Sequence, residues 1–292
     1  MKLKDPVNSV FNTGQVINCT GDLLDLTTPK VMGILNVTPD SFYDGGKFTD
    51  LKAIMKQVKR MVKEGVDIID VGGQSTRPGA KMIATGTELK RVIPVIEKIK
   101  EHFPDMIVSV DTYRSEVAQH AIKVGAGMVN DISAGAFDRK MHSTVAKSNA
   151  AYVLMHMKGM PETMQQNPRY KDVVQDVLKF LAEKTEKCRK MGIRDVIVDP
   201  GFGFGKTLAH NFQLLSKMEV FKITGCPLLA GISRKSMIYK TLDINQKEAL
   251  NGTTALNMTA LMKGASILRV HDVKPAKETI RLFDMLNNAV NK

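Results

Sequence analysis

The sequence predicts a (β/α)8 barrel that carries a short N-terminal hairpin. Short apolar runs and helical patterns alternate eight times without a break in composition, which is the order of elements in such a barrel. The runs are aliphatic or β-branched on both faces, as strands covered by helices must be. A length of 292 residues suits one barrel, and we expect residues 1–292 to form a single domain. An open, doubly wound sheet is the alternative.

The elements follow in a regular order along the chain. Residues 1–30 are expected to be a hairpin extension, because INCTGDLLDL contains a turn at Thr20-Gly21-Asp22. Eight predicted strands come next: VMGILN from Val31, VDIIDVGG from Val66, MIVSVDT from Met106, AGMVNDI from Ala126, AYVLMHM from Ala151, DVIVDPG from Asp195, PLLAGISR from Pro227 and SILRVHD from Ser266. Between them, residues 50–64 and 170–188 repeat apolar side chains at helical spacing and predict two of the covering helices.

The composition argues against several classes of function. The formal charge is +12, but the lysines are interleaved with acids and form no basic run with aromatic spacing, so we expect no nucleic-acid partner. The charge either attracts small anionic substrates or is only a solvated surface. Because no apolar stretch suits a signal peptide or a membrane span, we expect a cytoplasmic protein without a membrane partner. Cys19, Cys188 and Cys226 lie far apart and predict reduced thiols.

The segment VDPGFGFGKT, residues 198–207, has the composition of a phosphate-binding loop but not its spacing. A Walker loop that ends at Gly205-Lys206 needs glycine where this chain has Pro200, and the third glycine of a dinucleotide fingerprint falls on Lys206. Since the glycines follow the sixth predicted strand, we interpret them as a loop at the rim where barrel enzymes place their sites. Whether Asp199, directly in front of the glycines, is the functional group of this segment stays open at this point.

Polar side chains end most of the predicted strands and meet at one mouth if the barrel is right. They are Asn36, Asp111, Asn130, His156, Asp199, either Arg234 or Lys235, Arg269 and His271. For each residue alone, a helix cap or a satisfied buried group is the better explanation, and we interpret Asp70 and Asp131 in that way. The set as a whole favours a functional site, because burying several unpaired carboxylates is costly.

The chemistry of this set divides into two parts. Two carboxylates, an amide and a lysine suit a neutral heterocycle with a guanine-like edge. Arg269 and His271 alternate with Val270 and so point the same way, and with Arg77 in STRPGA they suit a diphosphate. Asn36 adds a neutral oxygen for a phosphate-bound Mg²⁺. The sequence has no HxH or HExxH pair for zinc and no GxSxG for acyl transfer.

In combination, these motifs resemble the dihydropteroate synthase family. The resemblance runs from about Val31 to about Val273 through MGILNVTPDSFYDGG, DVGGQSTRPGA, SVDT, NDI, LMHMKGMP, DPGFGFGK, GISRKSM and RVHDV. It implies a pterin-binding barrel in which p-aminobenzoate displaces the diphosphate of a dihydropterin to give dihydropteroate. It also implies a homodimer that works on these two small molecules with Mg²⁺.

The resemblance implies a role for each matching residue. The implied pterin contacts are Asp111, Asn130, Asp199 and Lys235, and the implied diphosphate contacts are Asn36 through Mg²⁺, Arg77, Arg269 and His271. The implied walls of the aminobenzoate pocket are Phe42, Thr76, Arg77, Pro78 and Phe204. Ser236 stands at an expected helix start, where a backbone N–H suits the substrate carboxylate. Asp44 is expected to stabilise a cationic intermediate, or else forms a turn beside Gly45-Gly46.

Two loops are expected to close over the substrates and exclude water, namely NVTPDSFYDGGKF and GGQSTRPGAKM. Gln74 stands in the second loop where many family members carry Glu. The loss of this negative charge is expected to affect the anchoring of the loop and not the reaction.

A pterin-binding methyltransferase is an alternative enzyme, but it has no diphosphate to hold. A paralogue that only binds pterin would have lost Arg77, Lys235 or the RVH residues, and this chain retains them.

Overall fold

The computed structural model describes residues 16–38, 47–75 and 82–290, and within them eight parallel strands close into a barrel. The strands are β1 (Val16–Cys19), β2 (Asp22–Asp25), β3 (Lys30–Asn36), β4 (Ile68–Gly72), β5 (Ile107–Asp111), β6 (Met128–Asp131), β7 (Ala151–Met155), β8 (Val196–Asp199), β9 (Leu228–Ala230) and β10 (Ala265–Val270). Strands β3 to β10 pair with their neighbours in sequence, and β10 closes the barrel against β3. The predicted barrel with an N-terminal hairpin is therefore confirmed. The extent of the single domain over residues 1–292 stays a prediction.

Helices cover the outside of the barrel. They are α1 (Lys47–Lys63), α2 (Thr85–His102), α3 (Ser115–Lys123), α4 (Met141–Ala146), α5 (Val173–Lys190), α6 (Leu208–Ser216), α7 (Ser236–Tyr239), α8 (Leu250–Met262) and α9 (Val273–Val290). Helix α5 begins where the Asp172 side chain accepts hydrogen bonds from the Val174 and Gln175 N–H groups. In the part of the chain that the structure describes, no helix has the length and apolar character of a membrane span.

The period of two along a strand divides the barrel interior into layers. The lower part of the interior is apolar, and its side chains are Met32, Ile68, Ile107, Met128, Ala151, Val153, Ile197, Leu229 and Ile267. Side chains two residues further along the same strand face point into the barrel above this layer. Asp70 follows Ile68 in this way, Asn130 follows Met128 and Asp199 follows Ile197. The closed barrel thus carries a polar mouth on an apolar floor.

The N-terminal hairpin fills the opposite mouth. Strands β1 and β2 pair through a turn in which Thr20 has φ +58° and Gly21 has φ +113°. The apolar side chains of the hairpin belong to the same buried cluster as the lower layer of the barrel, and they are Ile17, Cys19, Leu24 and Leu26. The Asn18 N–H donates to Asp195 Oδ1 at 3.0 Å, just before β8 begins. This end of the barrel is therefore closed by the chain's own apolar residues.

The hairpin approaches the barrel so closely that Gly127 has no room for a side chain. A Cβ built at this position lies 2.8 Å from Cys19 O and 2.9 Å from Cys19 Cβ. We predict that Gly127→Ala displaces the hairpin and lowers the free energy of unfolding by about 1–3 kcal/mol. Urea unfolding measures the change.

The matched control for this variant is Gly86→Ala, because a Cβ at Gly86 in α2 meets nothing within 4 Å. Alanine also suits a helix better than glycine, so this variant should unfold at the same or a slightly higher urea concentration. An unchanged midpoint for Gly127→Ala would show that the hairpin does not depend on the close contact.

Candidate active site

The carboxyl ends of the barrel strands bring buried polar side chains together. Asp111 ends β5, Asp199 ends β8, Lys235 follows β9 and Arg269 lies on β10. Arg269 donates to Asp111 at 2.6 Å, and Asp199 and Lys235 both border the space above Gly231. The charges of Arg269 and Asp199 also influence each other's pKa, so the two pairs of groups share one mouth. The geometry predicted from the strand order is present, whereas the role of each residue stays a prediction.

Asp111 has one paired and one unpaired carboxylate oxygen. Its Oδ2 accepts a hydrogen bond of 2.6 Å from a terminal nitrogen of Arg269. Its Oδ1 is buried and has no hydrogen-bond partner among the described residues. Burial raises the pKa of Asp111, and Arg269 opposes this rise. The unpaired oxygen suits a ligand that brings an N–H group of its own.

Asp199 and Lys235 converge on a second point of the mouth. Asp199 Oδ1 accepts from the Gly201 N–H at 2.7 Å. A Cβ built at Gly231 would lie 3.7 Å from Asp199 Oδ2 and 3.8 Å from Lys235 Nζ, so both groups border the space above Gly231. Burial lowers the pKa of Lys235 to about 8, and Asp199 opposes the change. A carboxylate and an ammonium group thus face the same small volume.

Lys235 also ties this part of the site to the glycine loop. Its Nζ donates to the Phe202 carbonyl and lies 4.7 Å from the centre of the Phe204 ring. Phe204 packs with the apolar cluster of Tyr113, Ile132 and Met155. The lysine is therefore fixed by a carbonyl and an aromatic face before any ligand arrives.

Asp70 connects two of the candidate site residues. Its Oδ2 accepts from Arg269 Nε at 2.7 Å and from Asn130 Nδ2 at 3.0 Å. Asp70 is thus a buried, hydrogen-bonded carboxylate, as the structural interpretation expected, but both of its partners are candidate site residues. The signal was its spacing, since it lies two residues beyond the inward-facing Ile68. Asp131 fits the structural interpretation, because its carboxylate accepts from Ser133, Gly135 and Tyr152, away from the mouth.

Asn36 and His271 complete the described part of the mouth. A Cβ built at Gly72 would lie 3.5 Å from both Asn36 Oδ1 and Asp111 Cβ, so Asn36 borders the carboxylate cluster. His271 Nδ1 lies 3.0 Å from Ser233 Oγ, which also accepts from the His271 backbone N–H at 3.2 Å. A neutral ring whose Nδ1 accepts from the Ser233 hydroxyl keeps its proton on Nε2, where it suits an anion.

The choice between Arg234 and Lys235 is settled by the turn after β9. Arg234 has φ +54°, and its guanidinium binds both Asp272 oxygens at 2.7 and 2.8 Å and the Lys247 carbonyl at 2.8 Å. It clamps the turn to the chain after β10. Lys235 is consequently the residue that faces Asp199, and Ser236 begins the short helix α7 directly after it.

The glycine loop is held from below by a buried lysine. Lys206 Nζ donates to the carbonyls of Gly201 at 2.8 Å and Phe204 at 3.0 Å, and lies 3.0 Å from His156 Nδ1. A Cβ at Gly201 would lie 1.9 Å from the His156 carbonyl, so only glycine fits there. Lys206 therefore holds the loop from the inside.

His156, which was expected at the mouth, lies outside the barrel wall, with its ring 4.9 Å from that of Phe180 in α5.

Gln74 anchors the start of the second loop. Its Nε2 donates to the Tyr113 hydroxyl at 2.8 Å, and its Oε1 accepts from Arg114 at 2.9 Å. Arg114 also pairs with buried Glu88 and donates to the Ile83 carbonyl at 2.5 Å, on the far side of the loop. An amide at position 74 thus accepts from Arg114 and donates to Tyr113 at the same time.

The remaining predicted site residues lie outside the described residues, and they are Phe42, Asp44, Thr76, Arg77 and Pro78.

Comparisons with known proteins show which proteins this chain is similar to. Residues 32–271 match the family described as pterin binding enzyme. The chain is 45% identical over 266 residues to the dihydropteroate synthase of Escherichia coli (strain K12), which covers 90% of this chain and 94% of that relative. It superposes on the Yersinia pestis dihydropteroate synthase in complex with a sulfonamide drug, with a TM-score of 0.88, 40% identity and coverage of 94% and 99% of the two chains. The Xanthomonas albilineans dihydropteroate synthase with 4-aminobenzoic acid gives the same four values.

The buried His156 makes stability depend on pH. Burial, followed by the charge of Lys206, lowers the pKa of His156 from 6.5 to about 2. The unfolded chain therefore binds the extra proton below pH 6.5, and the folded state loses stability as the pH falls. We predict that the protein loses about 2 kcal/mol more than His156→Gln between pH 7.5 and pH 5, as measured by urea unfolding at each pH.

His120→Gln is the control for this comparison, because His120 lies at an exposed helical position. Its unfolding free energy should follow that of the unsubstituted protein at every pH. Parallel curves for the unsubstituted protein and His156→Gln would mean that His156 takes up its proton in the folded state.

Proposed function

The chain belongs to the dihydropteroate synthase family of pterin-binding enzymes, and we propose how its own residues perform the reaction of that family. The reaction joins 6-hydroxymethyl-7,8-dihydropterin diphosphate to p-aminobenzoate and releases pyrophosphate, so the enzyme is a transferase. The observation that carries the proposal is the meeting of Asp111, Asp199, Lys235 and Arg269 at one barrel mouth.

In this proposal the pterin ring binds at the bottom of the mouth. Asp199 accepts from the ring N–H and amino groups with its Oδ2, while its Oδ1 is held by Gly201. The unpaired Oδ1 of Asp111 accepts a further N–H from the ring. Lys235 and the Asn130 amide supply donors and acceptors for the remaining ring atoms. The arrangement supports a ligand that offers adjacent N–H groups and ring acceptors on one edge.

Arg269 and His271 act on the leaving group, together with Arg77, which is assigned by resemblance. The carbon–oxygen bond breaks first and its electron pair leaves with the diphosphate, so that the methylene carbon becomes part of a cation that the pterin ring stabilises. The amine nitrogen of p-aminobenzoate then forms the new carbon–nitrogen bond and gives up its proton. The contribution of the protein is mainly electrostatic, since a guanidinium and an imidazole N–H stabilise the charge that develops on the departing oxygen.

Mg²⁺ is the proposed cofactor. It would be held by Asn36, whose amide oxygen borders the mouth beside Asp111, and otherwise by the substrate. A single neutral protein oxygen fits a magnesium ion that takes most of its ligands from diphosphate oxygens and water. When bound, it neutralises charge on the leaving diphosphate.

The p-aminobenzoate subsite is proposed on the outer side of the glycine loop. Phe204 supplies an aromatic face there and is packed against Lys235. Ser236, the first residue of α7, offers its backbone N–H to the substrate carboxylate. Phe42, Thr76, Arg77 and Pro78 complete this subsite by resemblance. The relative with 4-aminobenzoic acid supports a ligand of this class.

A cytoplasmic location is proposed because the thiols of the chain are unpaired. Cys19, Cys188 and Cys226 are all free and buried. Burial raises the pKa of Cys19 and of Cys188 to about 12, which keeps both thiols protonated and unreactive. Such thiols suit a reducing compartment.

Purified protein mixed with Mg²⁺, the dihydropterin diphosphate and p-aminobenzoate should form dihydropteroate and release pyrophosphate only when both substrates are present. Asp199→Asn should weaken pterin binding on the order of 100-fold, because the charged acceptor is lost. Calorimetric titration with a pterin measures this change.

Asp195→Asn is the matched control, because Asp195 immediately precedes the same strand at the opposite mouth, where it binds the hairpin. Its pterin affinity and turnover should equal those of the unsubstituted protein. Unchanged pterin affinity in Asp199→Asn would remove Asp199 from the pterin site, and the lack of any dihydropteroate would refute the proposed function.

A homodimer through α8 and α9 is proposed as the assembly. Leu282, Met285 and Leu286 project from one side of α9 and are between 56% and 65% exposed, and Met262 at the end of α8 is 71% exposed. Helices α8 and α9 pack against each other, so these apolar side chains belong to neighbouring elements of one surface. An apolar stripe of this kind on a charged protein supports burial against a second copy.

We predict that the protein sediments as a dimer at micromolar concentration and that Met285→Glu shifts it to a monomer, because the new carboxylate would be buried at the interface. Leu23→Glu, at a 69% exposed position of the hairpin, is the control and should leave the dimer intact. A dimer that tolerates Met285→Glu would place the interface on another surface.

A further inference from the structure

We propose that Asp70 is a positioning residue of this enzyme, which holds the leaving-group arginine and the pterin-binding amide with one carboxylate oxygen. The proposal rests on the function proposed above. It adds a residue to the site that neither its sequence context nor the resemblance assigns.

The contacts of Asp70 are made almost entirely with the site. The residue is fully buried on the inner face of β4. Its Oδ2 accepts from Arg269 Nε at 2.7 Å and from Asn130 Nδ2 at 3.0 Å, and its Oδ1 has no hydrogen-bond partner within the described residues. The oxygen that holds Arg269 is therefore the oxygen that holds Asn130.

Two carboxylates fix the plane of the Arg269 guanidinium. Its Nε binds Asp70 while one terminal nitrogen binds Asp111 at 2.6 Å. Burial lowers the pKa of Arg269, but Asp70 and Asp111 outweigh that effect and raise it, so the group stays charged. A guanidinium has five donors in one rigid fork, and these contacts use two of them. The others are aimed by the geometry of the two that are bound.

A neighbouring aspartate shows what a purely structural carboxylate looks like in this barrel. Asp131 is also fully buried, but it accepts from the Ser133 N–H and hydroxyl, the Gly135 N–H and the Tyr152 hydroxyl. None of these partners is a site candidate. Asp70 differs because, among the described residues, its hydrogen-bond donors are Arg269 and Asn130, the two groups that the proposed function places against the substrate.

The shared oxygen links the two halves of the site. A shift of Asp70 moves both Asn130, which faces the pterin, and Arg269, which faces the diphosphate. Because the carboxylate is buried and its backbone lies in the middle of the barrel sheet, it has little freedom to shift. Asp70 thereby sets the distance between the ring-binding group and the leaving-group cation.

The decisive variant is Asp70→Asn, and inorganic pyrophosphate in the presence of Mg²⁺ is the probe. If Asp70 positions Arg269, pyrophosphate affinity falls about tenfold and turnover falls on the order of 100-fold, while the KM for p-aminobenzoate changes little. If Asp70 acted through its charge alone, Asp70→Asn would bind pyrophosphate more tightly, because the substitution deletes a negative charge near an anion.

A double-mutant cycle with Arg269→Met separates positioning from a general loss of structure. The effect of Asp70→Asn on pyrophosphate affinity should disappear in the Arg269→Met background, since there is no guanidinium left to orient. Equal effects in both backgrounds, or pyrophosphate binding that is unchanged or tighter in Asp70→Asn, would overturn the proposal.

Asp131→Asn is the matched control in the cycle. It should lower the unfolding temperature but leave turnover within about twofold, and its effect should add to that of Arg269→Met.

If Asp70→Asn fails to fold, Arg269→Lys takes its place, because lysine keeps the charge but lacks the planar guanidinium that Asp70 and Asp111 hold. Full turnover in Arg269→Lys would then overturn the proposal. Should the unsubstituted enzyme form no dihydropteroate, the proposed function fails, whereas the pyrophosphate cycle still tests Asp70.

Discussion

The two-residue alternation of side chains in a closed barrel is the constraint on which this structure depends. It sends every second side chain of a strand inward, so that the same strand supplies an apolar residue to the floor and a polar residue to the mouth. Ile197 and Asp199 on β8 show the pattern, as do Ile267 and Arg269 on β10. The polar groups are consequently held by the barrel sheet itself, and the apolar side chains below them exclude water from one side.

Charge balance is the second condition that the mouth must meet. Asp70, Asp111 and Asp199 are each buried, and an isolated buried carboxylate would be costly. Arg269 offsets the first two directly, and Lys235 faces the third. The hydrogen bonding of these carboxylates is incomplete, because Oδ1 of Asp70 and Oδ1 of Asp111 have no partner among the described residues. In the proposed function, the Asp111 oxygen accepts an N–H group of the pterin ring.

The sequence predicts the barrel and most of the described site because alternation and strand order are both legible in it. Asp111, Asn130, Asp199 and Arg269 all lie at the ends of apolar runs, where a polar residue is conspicuous. Asp70 is harder to recognise because apolar residues flank it within its strand. Past the last residue of a strand the alternation no longer holds, which explains why Lys235 could not be separated from Arg234, whose φ of +54° turns the chain. The prediction that His156 lies at the mouth was wrong for a related reason, since His156 lies one residue beyond β7 and its ring faces α5.

The hairpin that closes the lower mouth turns the barrel into a blind well. Ile17, Cys19, Leu24 and Leu26 cover the apolar side chains at that end of the barrel. The hairpin therefore shields the underside of the barrel interior from water, and a short two-stranded appendage helps to keep the surroundings of the buried charges dry.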